Sequence, residues 1–500
     1  MLGLVAPGGL LTRAVTKAPL VARSGEAKRV GIPWCQAGEP GRGPRSEGEN
    51  MSAQSLGEQT VDLLGRLVRL GCVNDLTADS GGEERAADLL EEFFAGLPVS
   101  IERITPHPGR TSLVVTVEGA DPASAGTPLT LLGHTDVVPV DEAKWTRDPF
   151  GAQIEDDVMW GRGTVDMLHL TAAMAVVTRE VARRAQDGNP PARSLVFVAA
   201  ADEEARGGLG VPWIGEHRAD ALPWDAALSE MGGAHIRGRR GGDCVVVVVG
   251  EKGAAQRRLH IRGDAGHGSV PLGRTSAVER LSQVSAALSA ARWPTATDEV
   301  WASFVRAFEF DETTETSLIN GTYEGDYSEF EDLAAFAHAI SHVTVAQTVA
   351  HSGGPINVMP SHATLELDIR TLPGVDDDDV DAAIAAALGD LAEHVTIERL
   401  LCEAATASST DTDLYRSIEA ALTKRYPGAS VVPVLFPGGS DLRVARRRGG
   451  IGYGFGAVDS GASLGQVYSQ LHAHDEHIAL ADVRATAEVL HEVVTTYLGA

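Results

Sequence analysis

The sequence predicts an α/β fold: a mainly parallel sheet flanked by helices, interrupted by an inserted two-layer α+β unit. Three observations carry this prediction. Between residues 56 and 250, short apolar runs bounded by turn residues alternate with helix-length amphipathic stretches, the order expected of parallel strands joined by helical crossovers. After about residue 250 the pattern changes to alternating strands and helices of a different kind. Finally, 500 residues exceed what one hydrophobic core usually serves, so two domains are the default, one of them split in sequence by the other.

Residues 1–50 are rich in Gly, Pro and Arg, hold no acid before Glu26 and lack sustained periodicity, so they are expected to form an unfolded extension. A weak organelle transit peptide and a signal sequence with a poor apolar core are the competing readings. Met51 leads straight into an amphipathic stretch, which favours a start there.

The first part of the larger domain is expected at 51–250. Val61, Leu63, Leu64, Leu67 and Val68 recur near helical spacing, and "GGEERAADLLEEFFAGL" from 81 repeats that pattern. "TSLVVTVEG" and "PLTLLGHTDVVP" read as strands, "LHLTAAMAVVTREVARRA" as a helix, and "SLVFVAAAD" and "WDAALSE" as further strands. The inserted unit is expected at 251–403. It contains "RRLHIRGDAGHGSVP", a strand and glycine turn, the helix "TSAVERLSQVSAALSAA", the alternating strand "HATLELDIRTLPG" and the helix "DDVDAAIAAALGDLAEH". The acid run of that last helix suits a helix start, where negative charge meets the dipole, better than a calcium loop. The larger domain resumes over 404–500 with the helix "DLYRSIEAALTKRY" and the segment "GGSDLRVARRRGG".

Charge excludes two classes of partner. With 69 acidic against 42 basic residues, formally −27, the surface repels nucleic acid and anionic membranes, which attract proteins through Lys and Arg. No run approaches the roughly 20 apolar residues of a spanning helix. The four cysteines are widely spaced and show no C-x-x-C, which fits a reducing cytoplasm rather than a disulfide or zinc-ribbon framework.

Five metal-ligand side chains sit in turns after apolar stretches: His134 in "LLGHTDVVP", Asp166 in "WGRGTVDM", Glu204 in "AAADEEARGG", Glu230 in "ALSEMGG" and His472 in "SQLHAHDEHI". In open α/β sheets functional groups collect beyond the carboxyl ends of strands. Imidazole and carboxylate without thiolate suit zinc, manganese or cobalt in a hydrolytic site.

The ordered set "GHTDVVP", "GRGTVDM", "DEEARGG", "GHGSVP", "NVMP", "LDIRTLPG", "GGSDLR" and "HAHDE" resembles the dinuclear zinc peptidases and deacylases, the family of acetylornithine deacetylase, succinyl-diaminopimelate desuccinylase, aminoacylase, carnosinase and glutamate carboxypeptidase. The resemblance covers 55–498. It implies a zinc-peptidase-like catalytic domain with a lid or dimerisation unit at 251–403. It also implies two divalent metal ions, zinc first with cobalt or manganese as alternatives. Asp166 would bridge them, with His134 and Glu230 on one ion and Glu204 and His472 on the other; His474 is the fallback for His472. Two cations roughly 3.5 Å apart need a carboxylate between them to damp their repulsion.

The same resemblance makes Glu203 the general base and Asp136 the carboxylate that holds the His134 ring. Adjacent side chains of an extended strand end point to different sides, so Glu204 can hold the ion while Glu203 moves the proton. His267 is implied to polarise the scissile carbonyl, often from a partner subunit; a homodimer through the inserted unit and a supply in cis are both open. Arg370 and Asn357 are implied to bind the substrate carboxylate and nearby polar groups, and Gly438, Gly439 and Ser440 to line the substrate. On the residues alone, Arg370 reads equally well as a solvent-facing strand arginine and His267 as a turn residue. The implied reaction is hydrolysis of an amide or peptide bond next to a free carboxylate, on a small molecule or short peptide. A catalytically inactive binding protein and a di-zinc aminopeptidase are the alternatives. Leu168 and His169 stand near where many relatives carry lysine, and 301–343 is longer than the minimal family's equivalent.

Overall fold

The computed structural model describes residues 54–120 and 126–499, and the expectation for 1–50 lies outside them. In chain order, helices α1 (Leu56–Leu70) and α2 (Glu84–Phe93) precede strands β1 (Ser100–His107), β2 (Arg110–Val117) and β3 (Leu129–His134). Helix α3 (Leu168–Gln186) leads to β4 (Leu195–Ala200), β5 (Ala226–Ser229), β6 (Gly232–Arg237) and β7 (Asp243–Glu251). Then come β8 (Arg257–Arg262), α4 (Ala277–Ala290), α5 (Glu299–Ala307), α6 (Ala334–Ser341), β9 (Thr344–Ser352), β10 (His362–Thr371), α7 (Asp377–Leu388) and β11 (Val395–Arg399). Helix α8 (Asp413–Arg425), β12 (Ser430–Phe436), α9 (Leu442–Arg447), β13 (Ile451–Gly454) and α10 (Leu480–Leu498) follow.

Helix α1 starts where the Ser55 hydroxyl accepts the Glu58 amide and stops at Gly71 in the left-handed region, the residue type that tolerates it. Its buried face meets α3 and α10, which pack on one another over the large sheet. Strand order in that sheet is β1-β2-β4-β3-β5-β13-β7, with β6 and β12 also pairing with β7. The centre, β4-β3-β5-β13, is parallel. Its strands β3, β4 and β5 are buried on both faces, as continuous apolar runs require.

The α/β architecture is as expected, but the sheet as a whole is mixed rather than mainly parallel. On one flank β1 and β2 form an antiparallel hairpin, the turn through Pro108 and Gly109 being too short for a crossover, and β2 pairs antiparallel with β4. On the other flank β7 pairs antiparallel with β13 and β6, and parallel with β12.

Residues 253–399 supply a second, antiparallel sheet, with β8 between β10 and β11, and β9 on the far side of β10. Helices α4 and α7 contact each other, and α4 also packs on β8 and β10. The acid run opens α7 as a capping box, Asp376 accepting the amides of Asp378 and Asp379. The long stretch after Trp301 is helical and turns toward the large sheet: α5 packs on β12, and Phe304, Phe308, Phe310, Phe330 and Phe336 join Val246 and Val434 in one core.

Candidate metal centre

Three parallel strands end at one edge of the large sheet and deliver the site. His134 is the last residue of β3, Glu203 and Glu204 follow β4, and Glu230 follows β5. His134 Nε2 lies 3.2 Å from one oxygen of Asp166 and 3.8 Å from Glu230. His472, in the left-handed region at φ 59°, places its Nε2 3.4 Å from the other Asp166 oxygen and 3.1 Å from Glu204. Thus each oxygen of Asp166 faces a different imidazole. His474 lies exposed two residues on.

Among the described residues, two overlapping triplets of donors could each hold an ion: His134, Asp166 and Glu204, and His134, Glu203 and Glu230, with ligand atoms within 4.8 Å of one another. Their nitrogen and oxygen chemistry fits a divalent cation. So does Glu204, whose buried Oε1 has no hydrogen-bond partner, although buried carboxylate oxygens ordinarily find one.

Proton affinities record the same crowding. Burial, and then repulsion from Asp166, pushes Glu230 up to about 8 and Glu204 up to about 7. Burial and the neighbouring Glu230 hold Glu203 well above the usual carboxylate range. Asp166 is buried too, yet hydrogen bonds with His134 and His472 keep it below that range. Asp166 and Glu204 in turn raise His472 to about 10. Burial disfavours a charged His134, but Asp166 and Glu230 outweigh it and lift its affinity well above an ordinary imidazole's.

Relative to unfolded values near 4 and 6.5, Glu204, Glu230 and His472 are all raised. The stability they contribute is therefore full below about pH 4 and is lost as pH rises, through about 7 and 8 for Glu204 and Glu230 and through about 10 for His472. A bound cation removes this penalty by replacing the protons. Adding a chelator should accordingly lower Tm more at about pH 8.5 than at about pH 6. Melting curves with and without chelator check this, and an equal or reversed drop refutes it.

The glutamate pair lies in a single 3-10 turn, Glu203–Ala205, and not on an extended strand end. Asp202 and Arg206 flank the turn in the left-handed region. Asp136 shapes it: one carboxylate oxygen accepts the Glu203 amide at 3.2 Å and the other the Glu204 amide at 3.1 Å. The His134 ring meets the main-chain oxygen of Asp136 at 2.9 Å and its carboxylate only at 3.6 Å. Asn74 joins Asp136 to Asp202, donating at 2.8 Å and 3.1 Å. Fully buried Arg110 holds Asp202, the Ser80 carbonyl at 2.7 Å and Glu83 at 3.4 Å.

The Asp166 loop has its own anchor. Both oxygens of buried Glu476 are engaged, accepting the amides of Gly163, Val165 and Asp166 and the guanidinium of Arg162. Asn74, Glu83, Arg110 and the task of Glu476 escape sequence reasoning. The one available signal was the fixed distance of Glu476 from His472.

A cavity of about 450 Å³ opens on these groups. Arg370, Gly438 and Gly439 line it, as do Arg443, which closes the "GGSDLR" motif, and Lys252 and Arg447, which the motifs did not single out. Arg370 is paired with Asp368 at 2.8 Å and 3.2 Å. The Lys252 ammonium donates to the carbonyls of Ala339 and His342 and to the Thr344 hydroxyl, tying the helical stretch before β9 to the cavity wall. Ser440 turns away, its hydroxyl and amide both directed at Glu251. His267 and Asn357 are not in the wall: they meet on an exposed ribbon, where the Gly268 amide donates to Asn357 and His267 Nδ1 pairs with the Ser269 hydroxyl.

Peptidase family M20/M25/M40 matches residues 130–496. A probable carboxypeptidase S-like 2 of Dictyostelium discoideum is 26% identical over 342 residues, 66% of this chain and 64% of that protein. A succinyl-diaminopimelate desuccinylase of Methylocella silvestris is 26% identical over 465 residues, 88% of this chain and 99% of that one. The chain thus spans less than two thirds of the first relative and nearly all of the second. Among solved structures, the metallo-carboxypeptidase Sso-CP2 of Sulfolobus solfataricus superposes with a TM-score of 0.63 at 19% identity, covering 88% of this chain and 100% of that one.

Proposed function

The chain belongs to peptidase family M20/M25/M40 and is a metallohydrolase, and from that premise we propose that it cleaves an amide or peptide bond next to a free carboxylate. An N-acyl amino acid, a dipeptide or the C-terminal residue of a short peptide fits. The observation that carries the reading is Asp166, with one oxygen toward each of two histidines. This supports two divalent ions, zinc first with cobalt or manganese as alternatives, with His134 and Glu230 on one side and Glu204 and His472 on the other. When bound, such ions polarise the scissile carbonyl and lower the pKa of water toward about 7.

Glu203 is the proposed general base, taking a proton from the attacking water and returning it to the leaving nitrogen. Its burial and high proton affinity suit that exchange. Arg443, 3.8 Å from Glu203, helps place it. Arg370 is the proposed carboxylate clamp, its planar fork matched to two oxygens. The test compares free acids with their C-terminal amides on the metal-loaded enzyme. Free acids should be preferred, and Arg370→Met should raise KM for them about 10- to 100-fold, the worth of a charge-assisted pair. Equal rates on acid and amide discard the clamp.

The inserted unit is proposed at 251–403, with His267 and Asn357 serving the cavity of a partner subunit in a homodimer. Their exposed position supports this, together with exposed Val270, Leu272, Ile356 and Val358 on the same ribbon segments. Mixing inactive Glu203→Gln with inactive His267→Ala protein should restore part of the activity; no recovery after subunit exchange argues for supply in cis. A cytoplasmic setting is proposed, supported by Cys72, Cys244 and Cys402 all being free thiols.

A further inference from the structure

A chamber of about 260 Å³ is walled by chain neighbours of the proposed metal ligands. Val165 precedes Asp166, Met231 and Gly232 follow Glu230, and Gln470 stands two residues before His472. His477 follows Glu476, which anchors the Asp166 loop. An occupant of the chamber therefore presses on the loops that carry three of these ligands.

The chamber is separate from the metal cavity. Of their described lining residues the two share Met231 alone, which takes the left-handed region at φ 70° and forms the partition. Ser460, Ala462, Gln470 and His477, in contrast, line both the chamber and an outer cleft of about 550 Å³, so the chamber adjoins solvent along that face.

Leu170, Phe455, Val458, Val467 and Ile478 make most of the wall apolar. Several of its polar groups are engaged. Asp482 accepts the amide of Ser460 at 2.6 Å and its hydroxyl at 2.8 Å, the Thr486 hydroxyl donates to the Ala457 carbonyl, and Gln470 accepts the His477 amide. His169 differs: it is 9% exposed and its Nδ1 has no hydrogen-bond partner. Burial pushes the ring down to about 4, so it is neutral at pH 7 and offers one donor and one acceptor nitrogen. A buried polar atom left unpaired is costly, so the wall at His169 calls for a hydrogen-bonding partner. Asp482 keeps spare lone pairs beside those that Ser460 uses. Water alone suits the chamber poorly, because its volume is that of roughly eight waters, each needing about two to four polar partners on a wall that is mostly hydrocarbon.

We infer that the chamber binds a small molecule with a hydrocarbon body and one hydrogen-bonding head, an alcohol or an amine, and that this occupant braces the loops of Asp166, Glu230 and His472. It enters from the outer cleft. The body lies against the apolar wall, and the head donates to the acceptor nitrogen of His169. A body of about seven carbons with its head matches the volume. The bracing rests on the metal-centre reading; the binding does not.

Calorimetric titration of the full-length, zinc-loaded protein with benzyl alcohol, benzylamine and toluene tests this. At least one of the first two should bind saturably at one site, and benzylamine binding the tighter adds Asp482 to the partners of the head. His169→Phe should weaken that binding about tenfold, the worth of a buried hydrogen bond, and leave toluene within about threefold of its wild-type affinity. Ala462→Phe, at the half-buried rim shared with the cleft, should weaken all three about tenfold or more by filling the chamber's edge, and it keeps the test valid if the first variant does not fold. Arg370→Met, in the metal cavity, should leave the affinities within about threefold. Saturating benzyl alcohol should slow removal of zinc by a chelator at least about threefold. No saturable binding of either headed probe, binding unchanged in both variants, or binding lost in Arg370→Met overturns the site, and unchanged zinc release with the probe bound overturns the bracing. None of these readouts needs turnover, so their failure leaves the hydrolase reading intact, and an absence of hydrolysis leaves the site intact.

Discussion

Glu203→Gln should lower kcat by about 10² to 10⁴, the usual worth of a positioned proton carrier, while the purified protein keeps its metal. The amide is nearly isosteric and cannot accept and release the proton. Its neighbour should behave differently: Glu204→Gln should lose metal, because Glu204 faces His472 at 3.1 Å and carries an unpartnered buried oxygen. The pair can differ because both backbone amides are pinned to one carboxylate, that of Asp136, while the 3-10 turn sends the side chains apart. Metal content and steady-state rates for the two variants decide the matter. A Glu203→Gln protein that turns over normally, or that loses its metal in step with its activity, sinks the division of roles.

Arg110→Met should destabilise the fold by about 3 to 5 kcal/mol, the cost of leaving buried partners of a charge uncompensated. Arg110 is wholly buried and faces Glu83 and Asp202, both buried as well. Glu83 already resists ionisation: burial and the nearby Asp136 push it up to about 7, and its Oε2 has no partner. Without the guanidinium, Asp202 keeps only the Asn74 side chain and the Leu209 amide as donors at 3.1 Å and 2.7 Å. The left-handed turn at Asp202 then loses its clamp, and with it the placement of Glu203 and Glu204. Urea unfolding measures the loss. A change under about 1 kcal/mol would mean that water replaces the guanidinium without cost.

The fold's outline was legible because its signals are local. The helical spacing of Leu63, Leu64, Leu67 and Val68 marks α1, and apolar runs that stop at turn residues mark β3, β4 and β5. The proposed metal ligands sit where those runs stop, so the same punctuation that ends a strand points to His134, Glu204 and Glu230. Strand direction was less legible. Periodicity is the same for parallel and antiparallel neighbours, and the antiparallel pairings of β1 with β2, of β2 with β4 and of β7 with β13 and β6 made the sheet mixed.

By itself, the sequence determined the α/β class, the order of the motifs that carry the candidate ligands, and the family. Each of these is written in residue type and short spacing, which survive without knowledge of what lies nearby. The tertiary structure alone decided the supports and the cavity. Asp136 meets Asn74 from 62 residues away, Arg110 meets Asp202 across 92, and Glu476 reaches Val165 across 311. It also turned Ser440 toward Glu251, set His267 and Asn357 on an outer ribbon, and put Met231 between two cavities. Such contacts are made by groups that folding alone brings together, and no local pattern in the chain encodes a hydrogen bond between residues so far apart.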